Sequence, residues 1–129
     1  MRLLVDTQCW LWMLLAPERF SPGGRRIVED TSHTLYLSAA SAWEISIKYA
    51  LGKLHLPEPP EAYVPSRLTS LGMHPLAIEH AHALRVAALP ALHRDPFDRL
   101  LVAQAQSEDL AILTADPVIQ VYDVDVVKA

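Results

Sequence analysis

Short apolar runs alternate with longer stretches of helical periodicity along the 129 residues. That alternation predicts a βαβ progression and an α/β fold with a parallel sheet between helices. Arg2 to Val5 reads as the first strand, and Thr7 to Leu15 as an apolar helix carrying Trp10, Trp12 and Met13, ended by Ala16-Pro17. A second helix is expected near Gly24 to Asp30 and a strand near Leu35 to Ser38. Ser41-Ala42-Trp43-Glu44 has the spacing of a capping box and predicts a helix stopping at Gly52. Leu56 to Pro65, with four prolines, reads as a loop leading into a helix or turn. Met73 to Leu76 fits a short edge strand, where Pro75 is tolerable, and Ile78 to Leu89 fits a helix. Asp95-Pro96 opens the most regular helix, running to about Glu108, with Asp95 as N-cap and Pro96 in the first position. Ala111 to Thr114 is a buried-strand pattern, Asp116-Pro117 repeats the Asp-Pro helix start, and Tyr122 to Val127 alternates as a terminal strand.

No repeat, linker or low-complexity tract divides residues 1–129, so a single domain is expected, and 51% hydrophobic content is enough for a substantial core. Cys9 has no second cysteine to pair with, the first residues lack the plan of a secretory signal, and no apolar run spans a bilayer. These features predict a soluble, cytoplasmic protein. The net charge of −4 argues against a general nucleic-acid coating protein. It does not argue against a nuclease, because a bound cation returns positive charge to an acidic pocket.

Four carboxylates stand where a strand would hand over to a helix or a helix begins: Asp6, Glu44, Asp98 and Asp116. In an open parallel sheet the carboxyl ends of the strands form one crevice, so acids far apart in sequence can converge there. Each has a purely structural alternative. Glu44 can complete the capping box with Ser41, Asp98 can complement a helix dipole, and Asp95 and Asp116 can be N-caps. Asp6 has the weakest such alternative. The joint pattern of acids without a basic partner in the same motifs calls for a hard divalent cation, Mg²⁺ or Mn²⁺, held by oxygen ligands. Metal-dependent phosphodiester chemistry is therefore the leading expectation.

The motifs Leu4-Val5-Asp6-Thr7, Ser38-x-x-Ser41-x-Trp43-Glu44-Ile45-x-Ile47-Lys48-x-x-x-Gly52-Lys53-Leu54, Asp95-Pro96-Phe97-Asp98-Arg99-Leu100-Leu101-Val102-Ala103-Gln104-Ala105 and Leu113-Thr114-x-Asp116 resemble the successive motifs of PIN-domain ribonucleases. The branch they resemble is that of VapC-like toxins from toxin–antitoxin pairs. The resemblance runs from about residue 3 to 120. It implies that Asp6, Glu44, Asp98 and Asp116 form the metal site, and a PIN-like three-layer sandwich with a five-stranded parallel sheet. It further implies Mg²⁺ or Mn²⁺ dependence, hydrolysis of RNA, homodimerisation and inhibition by a cognate antitoxin. In this branch the residue after Thr7 is often His, and here it is Gln8.

Around that set, Thr114 is a candidate to hold a water or a carboxylate through its hydroxyl, beside its reading as a β-favouring strand end. Arg99 is a weaker candidate for a substrate phosphate, since adjacent helical residues point about 100° apart. His80 and His82, two apart, do not make a zinc pair on a helix. Cys9 reads as a small buried hydrophobe, and no glycine-rich phosphate loop exists. Residues 10 to 15 are apolar on every helical face, which leaves burial in the monomer and a protein interface both open. Two other function classes fit the layout: a catalytically idle PIN-like binding module, and a phospho-receiver domain. The second lacks the expected pair of acids after the first strand, because Asp6 stands alone.

Overall fold

A computed structural model describes residues 1–129. In chain order it comprises β1 (Arg2–Val5), α1 (Thr7–Leu15), α2 (Pro22–Glu29), β2 (Thr34–Ser38), α3 (Ala39–Ala50), α4 (Pro60–Leu71), β3 (His74–Leu76), α5 (His80–Arg85), α6 (Pro96–Glu108), β4 (Ala111–Thr114) and β5 (Val126–Lys128). The five strands lie in the order β3-β2-β1-β4-β5, and every pairing is parallel. The chain builds β1, β2 and β3 outward on one side, then returns to place β4 on the other side of β1. The strand order therefore reverses between β1 and β4, and a crevice opens beyond their carboxyl ends.

Alternate residues of the central strands serve two cores. Leu3, Val5 and Leu113 pack with Trp10, Ile45, Tyr63 and Leu68 on one face, while Leu4 and Ile112 pack with Leu101, Val102, Ala105 and Tyr122 on the other. Burial on both faces is what makes these strands continuous apolar runs, and it yields the three-layer α/β sandwich. No helix is long and apolar enough to cross a membrane. On α1, Cys9 and Trp10 are buried, residues 11–14 are partly buried and Leu15 is exposed.

Several boundaries depart from the sequence reading, each for a local reason. The third helix starts at Ala39 because Ser38, the last strand residue, is its cap and accepts from the Ala40 amide at 2.9 Å. Ser41 is thus inside the helix, where its hydroxyl accepts from Thr7 at 2.8 Å, and no Ser41–Glu44 capping box forms. The proline-rich loop ends at Pro59. Pro60 takes the first helical position and Pro65 lies within α4, tolerated because Tyr63, Val64 and Leu68 anchor that helix in the core. The stretch from Ile78 to Leu89 holds only the short α5 and a 3-10 turn at Val86–Ala88. Asp116-Pro117 opens a turn followed by a 3-10 segment at Ile119–Val121, and the last strand shrinks to Val126–Lys128.

Helix stops are better marked. Gly52, Gly72 and Asp109 adopt left-handed backbone, and the residue after each donates back into the last turn: Lys53 to Lys48 at 2.9 Å, Met73 to Leu68 at 2.9 Å and Leu110 to Ala105 at 2.9 Å.

Gly24 is needed for a different reason. Ser21 caps its helix by accepting the Gly24 amide at 3.0 Å, and a Cβ at Gly24 would lie 2.4 Å from the backbone carbon of Ala129. At neighbouring Gly23 the nearest atom to an added Cβ is 3.9 Å away. Gly24→Ala is therefore expected to lose about 1–3 kcal/mol through overpacking. Gly23→Ala is expected to gain up to about 1 kcal/mol from helix propensity. Urea unfolding of both variants checks the pair, and equal effects would contradict this reading of the α2–β5 contact.

Candidate metal centre

Asp6 follows directly on β1 and caps α1, so its position is set by two elements at once. Its Oδ1 accepts the Cys9 amide at 2.7 Å, and its Oδ2 accepts the Thr114 hydroxyl from the end of β4. The Thr114 hydroxyl oxygen in turn accepts the Asp116 amide at 3.0 Å. Thr114 thus ties Asp6 to the Asp116 turn across the β1–β4 pair. The Asp116 carboxylate is held at both oxygens: Oδ1 accepts the Val118 amide at 2.8 Å, and Oδ2 lies 3.0 Å from His93 Nε2.

Asp98 is the third residue of α6, and its Oδ2 is 3.1 Å from the same His93 nitrogen. Asp95 caps that helix, accepting the Phe97 amide at 2.8 Å. Glu44 reaches the site from α3, with Lys48 Nζ 2.8 Å from its Oε2. The five acids and Lys48 line one cavity of about 340 Å³ with Thr7, Gln8, Leu11 and Ala115. It contains Asp6, Glu44, Asp95, Asp98 and Asp116 against Lys48 as its one basic residue.

The electrostatics follow from that crowding. Burial raises the Asp6 carboxyl above the usual carboxylate range, against the hydrogen bonds from Thr114 and Cys9 that favour its ionised form. Burial pushes Asp98 up to about 7, with the charge of Asp95 next and those of Asp6 and Glu44 adding, while His93 opposes. The acids therefore feel one another across α1, α3 and α6. An all-oxygen, like-charged donor set facing one cavity suits a hard divalent cation.

All four acids expected at the site line this cavity. Thr114 meets a carboxylate. Arg99 does not reach the cavity: its guanidinium donates to Pro90 O at 2.9 Å, Val86 O at 3.2 Å and the Tyr122 hydroxyl at 3.2 Å, bracing the loop before α6. The expectation of a phosphate contact there is corrected, because its place beside Asp98 on a helix turns it away.

Two residues escaped the sequence reading. Lys48 gives Glu44 the basic partner that the acid pattern lacked, and their i, i+4 spacing is the signal that could have found it. His93 stands two residues before the motif that opens at Asp95, and nothing in residue type marked it.

A family profile for the PIN domain matches residues 3–125. The chain belongs to the PIN-domain family. Among curated proteins it is 55% identical over 58 residues to Ribonuclease VapC16 of Mycobacterium tuberculosis (strain ATCC 25618 / H37Rv). That match covers 45% of this chain and 41% of the relative, so it spans less than half the length of either. Solved structures share the PIN fold across nearly the whole chain. VapBC2 from Rickettsia felis, bound to a DNA fragment from its promoter, superposes with a TM-score of 0.71 at 13% identity, covering 99% of this chain and 98% of that one. DNA-bound VapBC from Salmonella typhimurium gives 0.70 at 16% identity with the same coverage. FitAcB from Neisseria gonorrhoeae gives 0.60 at 22% identity, covering 96% and 95%.

The raised Asp98 carboxyl has a consequence for stability. A carboxyl whose folded pKa lies above its unfolded value adds stability that is complete below about pH 4 and is lost as pH rises through about 7. Metal-free protein is thus expected to be less stable at pH 8 than at pH 5. Asp98→Asn is expected to exceed the wild type by about 1–2 kcal/mol at pH 8, with the gap closing towards pH 4. Urea melts in EDTA at several pH values measure this, and a destabilised Asn variant at pH 8 would contradict it.

Proposed function

We propose that this PIN-domain chain is a metal-dependent endoribonuclease, the toxin of a toxin–antitoxin pair, with Mg²⁺ as cofactor and Mn²⁺ as a substitute. The observation that carries the proposal is the convergence of Asp6, Glu44, Asp98 and Asp116 on one cavity at the carboxyl ends of β1 and β4. The ribonuclease named in the matching relative supports the same chemistry.

Asp6, Glu44 and Asp98 would hold the ion directly or through water, and Asp116 would hold a second ion or orient the attacking water. The bound ion supplies a water of lowered pKa and offsets charge on the scissile phosphate and the leaving oxygen. Thr114 keeps one Asp6 oxygen aimed while the α1 amide of Cys9 keeps the other. Lys48, half-exposed at the cavity wall and paired with Glu44, is the one basic residue of the cavity and would be the cation available to a substrate phosphate.

The toxin reading also places a protein partner on the molecule. Trp43 and Ile47 on α3, the helix that carries Glu44, and Leu51 at its C-terminal cap are exposed at four-residue intervals. A regular apolar ridge beside an acidic site suits coverage by an antitoxin segment or a second copy of the chain.

Purified, partner-free protein incubated with a mixed RNA pool is expected to cut it with Mg²⁺ or Mn²⁺. Cutting is expected to stop in EDTA and to fall more than about a hundredfold in Asp6→Asn. Cleavage that persists in EDTA, or in the Asp6→Asn variant, would overturn the proposal. A folded, metal-loaded wild type that cuts nothing in the pool would overturn it in favour of an idle binding module.

A further inference from the structure

His93 Nε2 forms a cluster with Asp98 and Asp116 oxygens, and these donor atoms all lie within 4.8 Å of one another. Taken as three donor atoms, that cluster reads as a metal site with a histidine ligand. The other side of the ring decides against it. His93 Nδ1 accepts the backbone amide of Asp95 at 3.1 Å, so Nδ1 presents its lone pair and Nε2 carries the hydrogen. A ring flip would face the Asp95 amide with a carbon and lose that bond, so the network assigns the ring's orientation. Histidines that ligate metals donate from the second nitrogen; this one accepts there, and its Nε2 lone pair is not available.

We propose that His93 is a positioning residue, not a ligand: its Nε2–H donates to Asp116 Oδ2 at 3.0 Å while the same nitrogen lies 3.1 Å from Asp98 Oδ2, so that the ring keeps the two carboxylates side by side for the cation. This rests on the metal-site reading above. The ring is itself braced, since the His93 amide donates to the Tyr122 hydroxyl at 2.9 Å, and Arg99 donates to the same hydroxyl at 3.2 Å. With the Val118 amide on its Oδ1, Asp116 is gripped at both oxygens, and each oxygen keeps a lone pair directed elsewhere. Joining α6 to the β4 turn, the imidazole ties together acids 18 positions apart in sequence, which no single helix or strand could do.

His82 offers an internal comparison. It accepts the Glu79 amide on Nδ1 at 3.0 Å and meets Glu108 with Nε2 at 2.7 Å, away from the cavity. The chain thus uses the same arrangement twice, once on Glu108 and once on Asp116 with Asp98 alongside.

Two measurements on the full chain test the assignment. In ¹⁵N-labelled, EDTA-dialysed protein, long-range ¹H–¹⁵N spectra of the imidazoles, assigned with the His93→Gln variant, are expected to show the Nε2–H tautomer for His93. Titrating Mg²⁺ should leave that tautomer in place. An Nδ1–H tautomer, or loss of the Nε2 hydrogen on adding Mg²⁺, would make His93 a ligand and overturn the proposal. In calorimetric titration with Mn²⁺, His93→Ala is expected to weaken binding roughly 10- to 100-fold. His93→Gln, whose amide can donate to the same oxygens, should recover most of the loss, with both variants checked for folding by their thermal transitions. Unchanged affinity in folded His93→Ala would overturn this proposal alone. No binding by the wild type would overturn the metal reading and this proposal with it.

Discussion

Like-charge repulsion among buried carboxylates is the constraint to which the rest of the structure answers. Asp6, Glu44, Asp98 and Asp116 are brought to one cavity by four different elements, and burial has raised two of them above the ordinary carboxylate range. Left to themselves such groups would splay apart or protonate. The chain instead directs hydrogen bonds to them: the α1 amide of Cys9 on Asp6, the turn amide of Val118 on Asp116, the Thr114 hydroxyl between β4 and α1, and the His93 ring on Asp116 beside Asp98. Amides, a hydroxyl and an imidazole hold Asp6 and Asp116, and the one ammonium in the cavity, Lys48, faces Glu44, so the acids there still outnumber the basic groups.

The scaffold explains why those donors converge. Reversal of strand order between β1 and β4 places two strand ends side by side, and the parallel arrangement points every following helix N-terminus towards the same rim. Burial of both sheet faces then leaves the strands no freedom to slip, because a shift of one residue would exchange Leu3 and Leu4 between the two cores. The precision of the acids is thus inherited from the apolar alternation of the strands beneath them.

Much of this was legible in the chain. β1, β4 and α6 have the limits that their patterns predict, because an apolar run ending at an acid and an Asp-Pro start are strong local signals. The weaker predictions failed where two local signals competed. Ser38 and Ser41 both offer a cap, and the one at the strand end wins because α3 follows β2 without a loop. Pro65 reads as a breaker, yet tertiary burial of its neighbours carries the helix through it. The acids were visible by residue type and place, whereas His93 and Lys48 take their meaning from partners: a backbone amide and two carboxylates for one, Glu44 for the other. Geometry of that kind is set by the fold and leaves little trace in residue type alone.

The most direct test of this account is anomalous diffraction from crystals soaked in Mn²⁺. The expected result is a peak inside the cavity in bonding contact with carboxylate oxygens of Asp6 and Asp98, with His93 Nε2 still facing Asp98 and Asp116 outside the coordination shell. A well-ordered peak on His93 Nε2, or strong peaks elsewhere with the cavity empty, would contradict it.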